Sequence, residues 1–355
     1  MADILYDTRS KNLNAPKVII LTHGDADGLV SAMVVKTFEE LEDKNKSFLI
    51  MSSMDVTLEQ TDKIFDYICK YTSLGSKDRV YILDRPIPSM DWLKMRYLAY
   101  TNIINIDHHL TNNPTLYKDE CCCDDIYFFW DDKVSAAFLT LKWFEPLVEK
   151  GENYKKMYEK LYPLVEATSC WDIFSWKNLG TSQEDILLKK RALAINSAEK
   201  ILGTEAFYKA INKNLNSPTY IKDLFNYFFC LDEAYEIKIK NYFDFAKRTI
   251  YELNHKSYKI GVAYGIDGDY QSIISDKIFQ DKKSKYDILA FLNPYGTVSF
   301  RSKNEADVSE IAKKLGEVVG FSGGGHKNAA GCRICDKEEI KNKILEIFEN
   351  SLGKI

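Results

Sequence analysis

Val18-Ile19-Ile20-Leu21-Thr22-His23-Gly24-Asp25-Ala26-Asp27-Gly28 is the stretch whose reading decides how this chain is built. Its first four residues are an uninterrupted apolar run, which reads as a buried strand. A histidine, two aspartates and two glycines follow at once. The same arrangement recurs where Ile103-Ile104-Asn105-Ile106 runs into Asp107-His108-His109. Val80-Tyr81-Ile82-Leu83, ended by Asp84-Arg85-Pro86, is a third instance. All three place carboxylate or imidazole groups just beyond strand C-termini. Open α/β sheets carry their chemistry there.

Working outward, helical spacing predicts helices over Gly28–Glu40 and Leu58–Tyr71, the latter with Ile64, Phe65 and Ile68 on one side. Phe48–Met51 reads as a strand, Ser89–Tyr97 as a helix, Ile126–Trp130 as a further strand and Val134–Phe144 as an apolar helix. Strands alternating with helices at this spacing imply βαβ units and a mostly parallel sheet. From Tyr154 to His255 strand signals fade, and Thr219–Leu253 reads as one long helix or two. Strands return at Lys259–Ala263, Tyr286–Leu292 and Thr297–Phe300, with helices at Val308–Val318 and Lys337–Glu349. The expected fold class is therefore α/β with two domains. A parallel-sheet domain covers 1–180, a helical extension and connector covers 181–256, and a smaller α/β domain covers 257–355.

Composition sets limits on this. Net charge is −4 over 355 residues, so no basic tail draws the chain to nucleic acid. A local basic groove remains compatible with that average. No run approaches roughly 18 consecutive apolar residues, so no membrane partner is expected. Asp3 and Asp7 sit where a secretory signal would be apolar. The eight cysteines show no disulfide framework. Cys121, Cys122 and Cys123 are adjacent, and Cys332 with Cys335 is a lone CxxC lacking a second ligand pair. A reducing, cytoplasmic setting follows.

Four of the five histidines fall in three motifs, the two above and Gly323-Gly324-Gly325-His326. Asp25 and Asp27 are two residues apart, so an extended backbone turns both carboxylates to one side. Two like charges so close need a cation, or one takes a proton. The competing reading is that they cap the helix beginning at Gly28. Asp84 at another strand end, His108 and His109 at a third, and Asp172 between Trp171 and Ile173 favour a metal. Asp172 lies among apolar residues, where an unpaired carboxylate is costly. Asp124, Asp125, Asp131 and Asp132 lie in a polar run and read as solvated. Carboxylates and imidazoles converging on one sheet edge suit Mn²⁺ or Mg²⁺; hard oxygen ligands select Mg and Mn, and added imidazole tilts the choice toward Mn, Fe or Zn. Two such ions, about 3.5–4 Å apart, clamp the attacking and leaving oxygens of an in-line displacement. The three glycines expose backbone N–H groups that can form an anion-binding concavity.

HxDxDG, Leu-Asp-Arg, DHH, a distal Asp and GGGH, in that order over nearly the whole chain, resemble the DHH phosphoesterases with the DHH-associated C-terminal domain. The likeness is strongest to the oligoribonuclease and RecJ-like branches. It implies that Asp25 binds one metal, that Asp27 and His108 bind the other with Asp172, and that Asp84 bridges them. His109 would contact the scissile phosphate or protonate the leaving group, with Asp107 orienting an imidazole. Arg301 and the Gly323, Gly324, Gly325 and His326 loop would bind the substrate's nucleotide end. One departure stands out. Many relatives carry the first-motif histidine four residues before the first Asp, where this chain has Leu21. His23 shares Asp25's side of an extended strand, and it either ligates metal, bonds a ligand or positions the loop.

The resulting expectation is a two-metal phosphodiesterase or exonuclease. It would hydrolyse short single-stranded oligonucleotides, RNA from the 3′ end, to 5′-mononucleotides. Alternatives are a phosphodiesterase for cyclic or linear dinucleotides, a RecJ-like single-stranded DNA exonuclease, and a catalytically silent DHH binding subunit. Oligomeric state stays open, a homodimer included.

Overall fold

The computed structural model describes residues 2–8, 16–54, 58–72, 74, 76–87, 102–110, 113, 126–293, 296–303, 306–321, 323–334 and 344–353. The helix expected at Ser89–Tyr97, the run Cys121–Cys123, Asp124, Asp125, Ser322 and Cys335 lie outside the described residues. The chain folds as two compact units, Met1–Asp232 and Glu233–Ile355.

In the first unit the strands are β1 (Asp3–Asp7), β2 (Lys17–His23), β3 (Ser47–Ser53), β4 (Arg79–Leu83), β5 (Asn102–Asp107) and β6 (Ile126–Trp130). They form one sheet in the order β1-β3-β2-β4-β5-β6. Every pairing is parallel except β1 with β3, which is antiparallel at the edge. The apolar runs are buried on both faces, as parallel strands require. Val18, Ile20, Phe48, Ile50, Tyr81, Leu83, Ile104 and Ile106 join one core. That core also holds α1 (Ala26–Glu42), α3 (Ala136–Trp143), the short α4 (Glu145–Val148) through Leu147, α5 (Glu152–Asp172) and α6 (Gln183–Asn212). Ile19, Leu21, Leu49, Met51, Val80, Ile82 and Ile103 face the other way, onto Ile64, Phe65 and Ile68 of α2 (Leu58–Tyr71). Period-2 side-chain alternation in each strand thus serves two cores at once.

The strand order has one consequence for the site. The chain leaves β2 for β3 on one side and then returns to β4 on the other. Such a reversal opens a crevice beyond the strand C-termini, between β2 and β4. Asp25 and Asp27 follow β2, and Asp84 follows β4.

In the second unit β7 (Tyr251–His255), β8 (Tyr258–Tyr264), β9 (Ile288–Leu292), β10 (Thr297–Ser302), β11 (Gly323–His326) and β12 (Ala329–Arg333) form a sheet ordered β11-β12-β10-β9-β8-β7. Only β8 and β9 pair in parallel. Helix α8 (Gly268–Gln280) joins β8 to β9, and the core packs Ile260, Val262, Ala290, Val298 and Phe300 on α9 (Val308–Val319) and on Phe348 and Leu352 of α10 (Ile344–Leu352).

Two expectations change, and one open alternative is narrowed. The stretch thought to run from helix to polar connector contains β7, so His255 is a strand residue paired with Tyr258. Tyr251-Glu252-Leu253-Asn254-His255 does alternate apolar and polar, but the adjoining helical spacing hides so short a run. Thr219–Leu253 resolves into a single helix, α7 (Tyr220–Thr249). The GGGH run is strand β11, hydrogen-bonded to β12, rather than an open loop. A Cβ on Gly323 would lie 2.1 Å from the Ala312 carbonyl oxygen, so this glycine lets β11 close on α9.

Candidate metal centre

The site is assembled from the strand ends upward. Asp25 is the N-cap of α1, and its side chain accepts a hydrogen bond from the Gly28 N–H at 3.1 Å. The capping alternative is therefore realised for Asp25, and it leaves the other carboxylate oxygen for further partners. Gly28 allows the turn itself. A Cβ there would meet the His23 carbonyl oxygen at 2.5 Å and Thr22 Oγ1 at 2.7 Å. Thr22 closes the turn by donating to the Gly28 carbonyl at 2.6 Å.

Asp27 is held from a different direction. It is 2% exposed, and its two oxygens accept from the N–H groups of Ala136 and Ala137, at 2.8 and 2.9 Å. These are free donors of the first turn of α3, whose positive dipole end favours the charge. Nothing in the sequence signals this partnership, since the residues are more than a hundred positions apart.

Asp84 sits at the centre. It is 1% exposed and in left-handed backbone, φ +56°. Its Oδ2 lies 3.4 Å from His23 Nδ1, and its Oδ1 lies 3.4 Å from His108 Nε2 and 3.6 Å from His109 Nδ1. His23 Nδ1 is also 3.0 Å from Asp25 Oδ2. His108 Nε2 is 3.4 Å from Asp172 Oδ2 and 3.8 Å from Asp27 Oδ2. Three overlapping sets result, each with ligand atoms within 4.8 Å of one another: His23, Asp25 and Asp84; Asp27, His108 and Asp172; Asp84, His108 and His109.

Asp107 lies apart from these sets. Its Oδ1 accepts from the His108 and His109 N–H groups at 2.7 and 3.1 Å and contacts His109 Nδ1 at 2.8 Å. That contact ties the His109 ring to Asp107. That ring is about half exposed, while Asp107 is fully buried.

The electrostatics are those of a site short of positive charge. Burial pushes the Asp84 carboxyl well above the usual carboxylate range, and Asp25 and Asp27 add to it. Burial, then Asp27 and Asp84, raises Asp172 to about 9. Burial also raises Asp27. Asp25 is desolvated too, but its contacts with His23 and the Gly28 N–H hold it below the ordinary value. Burial by itself would lower His23; Asp25 and Asp84 outweigh it and carry the imidazole to about 10. The Asp107 hydrogen bond raises His109.

A divalent cation fits this donor set. Asp84 Oδ1, Asp172 Oδ2 and His23 Nδ1 are buried without a hydrogen-bond partner, although native proteins rarely strand such atoms. Ligands about 2.1 Å from one ion lie roughly 3–4 Å apart, which is the spacing found here. The carboxylate and imidazole chemistry suits Mn²⁺ or Mg²⁺.

Arg85 contributes in a way the sequence did not reveal. It is fully buried, with Nη2 donating to Thr61 Oγ1 at 2.8 Å and Nη1 reaching the Thr22 carbonyl at 3.5 Å. Asn105 donates to the carbonyls of Ile82 and Arg85, both at 3.1 Å. A buried cation and an amide thus tie the ends of β2, β4 and β5 together. An arginine directly after a strand-end aspartate was the available signal.

In the second unit, Arg301 on β10 and His326 on β11 both register with Ala329 on β12, so the two occupy one row of the sheet. The Arg301 guanidinium contacts Ser272 Oγ at 3.1 and 3.4 Å and the Phe300 carbonyl at 2.9 Å. It has no ion-pair partner among the described residues. Gly324 faces open space, unlike Gly323 and Gly325.

Residues 256–354 match the DHHA1 domain family. The chain has the fold of a DHH domain from a protein assigned to a ribosomal-protein family, with 17% identity, TM-score 0.56 and coverage of 96% of this chain and 87% of that one. It likewise shares the fold of Thermus thermophilus RecJ in complex with Mn²⁺, with 14% identity and TM-score 0.54. That likeness covers 97% of this chain but 53% of RecJ, about half its length. Residues 256–354 thus match a DHHA1 domain, and the chain as a whole shares the fold of DHH-domain proteins. Among curated proteins, a 3′,5′-cyclic-nucleotide phosphodiesterase of Helicobacter pylori is 32% identical over 80 residues. That match spans about a fifth of each protein, 21% of this chain and 22% of the relative.

Proposed function

We propose that this protein is a divalent-metal-dependent phosphodiesterase that hydrolyses short RNA oligonucleotides from the 3′ end to 5′-mononucleotides. The observation that carries the reading is the sharing of Asp84 and His108 among the overlapping ligand sets at the switch point of a parallel sheet. His23, Asp25 and Asp84 would hold one cation. Asp27, His108 and Asp172 would hold the other, with Asp84 common to both. Bound cations supply the positive charge that polarises a phosphodiester and makes water a competent nucleophile near neutral pH.

The remaining steps fall to side chains. His109, held by Asp107, whose hydrogen bond raises its pKa, is exposed enough to donate to a phosphate oxygen or a departing ribose oxygen. Arg301, with no ion-pair partner among the described residues, suits bidentate phosphate contact, and Gly324, where a Cβ would meet nothing, leaves room for a phosphate to approach. His326, Gly323 and Gly325 would complete that phosphate grip.

A second reading, hydrolysis of a cyclic phosphodiester, is favoured by the short match to a cyclic-nucleotide phosphodiesterase. One assay separates the two. Purified protein with Mn²⁺ is offered end-labelled RNA and DNA of graded length beside cyclic mono- and dinucleotides. Fastest loss of RNA of roughly five nucleotides or fewer, with 5′-mononucleotide products, is the expected result. Preference for cyclic substrates selects the second reading. Faster attack on long single-stranded DNA from its 5′ end rejects both.

A further inference from the structure

We propose that Phe174, backed by Trp171 and Trp176, is a stacking platform for a nucleobase of the substrate. The inference rests on the phosphodiesterase reading above and adds a specificity element to it.

Phe174 is 56% exposed, which alone would mean little, since isolated surface hydrophobes are ordinary. Its backbone makes it unusual. Phe174 adopts left-handed φ/ψ, 57° and 18°, immediately after helix α5 ends at Asp172. Glycine or asparagine is the usual occupant of that conformation, and a bulky aromatic there is strained. Strain of this kind persists where the surroundings enforce it, and it clusters at ligand sites. Folding gains little from Phe174 in return, because its ring stays mostly in water.

The neighbours extend the surface. Trp171 and Trp176 stack with ring centroids 5.7 Å apart and planes 8° apart. Trp171 also meets Phe174 at 6.3 Å, tilted by 50°. Packing of the 3-10 turn Ser175–Asn178 against the end of α5 accounts for the tryptophan pair. It does not account for the exposed phenyl ring. Lys177 Nζ lies 4.7 Å from the Phe174 centroid and 5.5 Å from that of Trp176, and Lys189 Nζ lies 5.7 Å from Trp176. Aromatic faces interleaved with cations are the chemistry of single-stranded nucleic-acid binding, where bases stack and lysines meet phosphates.

Position completes the argument. Phe174 is two residues beyond Asp172, whose Oδ2 lies 3.4 Å from His108 Nε2. Two residues of chain span at most roughly 7 Å between Cα atoms. A phosphodiester at the metal centre therefore has its flanking bases, a few bonds away, within reach of the platform.

The test compares dinucleotides with analogues that are abasic at one position or the other, using Mn²⁺-loaded full-length protein. Phe174→Ala should raise KM for the base-bearing dinucleotide roughly five- to hundred-fold, the range for losing one stacked base. One abasic analogue should be unaffected by the substitution, and it names the stacked base. Phe174→Trp should restore KM, and Mn²⁺ content should not change. Quenching of tryptophan fluorescence by AMP gives a readout independent of turnover, and Phe174→Ala should weaken it. Unchanged KM and unchanged quenching would overturn the proposal. So would loss of Mn²⁺, or an equal fall in turnover of base-bearing and abasic substrates, since either marks a structural role. If the wild type cleaves no phosphodiester yet binds AMP through Phe174, the platform stands and the phosphodiesterase reading falls.

Discussion

At the scale of single residues, Asp84 concentrates the tension in this site. A fully buried carboxyl faces Asp25 and Asp27 with one oxygen unpartnered. Burial and those neighbours hold it well above the ordinary carboxylate range, and Asp172 is raised to about 9. Two consequences follow from the sign of these shifts. An acid whose folded pKa exceeds its unfolded value binds its proton more tightly in the fold. Metal-free protein should therefore lose stability as pH rises from about 4 to about 9. Mn²⁺ binding at pH 7 should expel protons, which titration calorimetry in two buffers of different ionisation enthalpy would reveal; buffer-independent heats would contradict it. Asp84→Asn removes the buried acid while keeping its shape. The metal-free variant should melt higher than wild type at pH 8, by about 2–4 °C per kcal/mol recovered. It should gain nothing from Mn²⁺ and should lack turnover. A variant that melts lower and still responds to Mn²⁺ would show that Asp84 is structural.

At the scale of elements, the turn between β2 and α1 has no slack. Gly28→Ala drives a Cβ to within 2.5 Å of the His23 carbonyl oxygen, so the turn must open. About 1–3 kcal/mol of destabilisation is expected, together with weakened Mn²⁺ binding, because His23, Asp25 and Asp27 all move with that backbone. Gly323→Ala meets backbone just as closely, against Ala312 of α9. It should destabilise the second unit by a similar amount and leave Mn²⁺ affinity intact. Chemical denaturation with metal titration on both variants separates the two cases. Identical metal affinities would show that the β2–α1 turn does not shape the centre. Helix α3 matters for the same reason. Its first N–H groups hold both oxygens of Asp27, so the geometry of that carboxylate depends on an element far away in sequence.

At the scale of the whole molecule, the candidate metal ligands all belong to Met1–Asp232, and Arg301 and His326 belong to Glu233–Ile355. Arg301→Ala and His326→Ala should therefore retain both metals and lose about 1.5–3 kcal/mol of substrate interaction, roughly ten- to hundred-fold in kcat/KM. A small phosphodiester with no second nucleotide should feel less of the loss. Metal analysis beside oligonucleotide kinetics decides it. Stripped metals, or kinetics identical to wild type, would remove these residues from the substrate grip.

Much of this was legible without coordinates, for a local reason. Strands β2, β4 and β5 are continuous apolar runs, and Asp25, Asp84 and His108 sit at their ends, so period and position alone announce a parallel sheet with chemistry at one edge. The short edge strands β1 and β7 were hidden, because five residues of modest alternation carry little signal beside polar or helical neighbours. The glycine run Gly323–Gly325 read as a loop because glycine's freedom is local, whereas its use in β11, close packing on Ala312, depends on an element it meets only in the fold. Strand order is likewise a matter of pairing. The chain's residues state that β2, β3 and β4 exist, but the hydrogen-bonded ladder puts β2 between the other two and so creates the crevice. The same holds for Asp27 capping α3, Arg85 tying strand ends from a dry interior, and Phe174 left exposed on a strained turn. Each depends on residues distant in sequence, and burial and partner choice are properties that only the packed chain possesses.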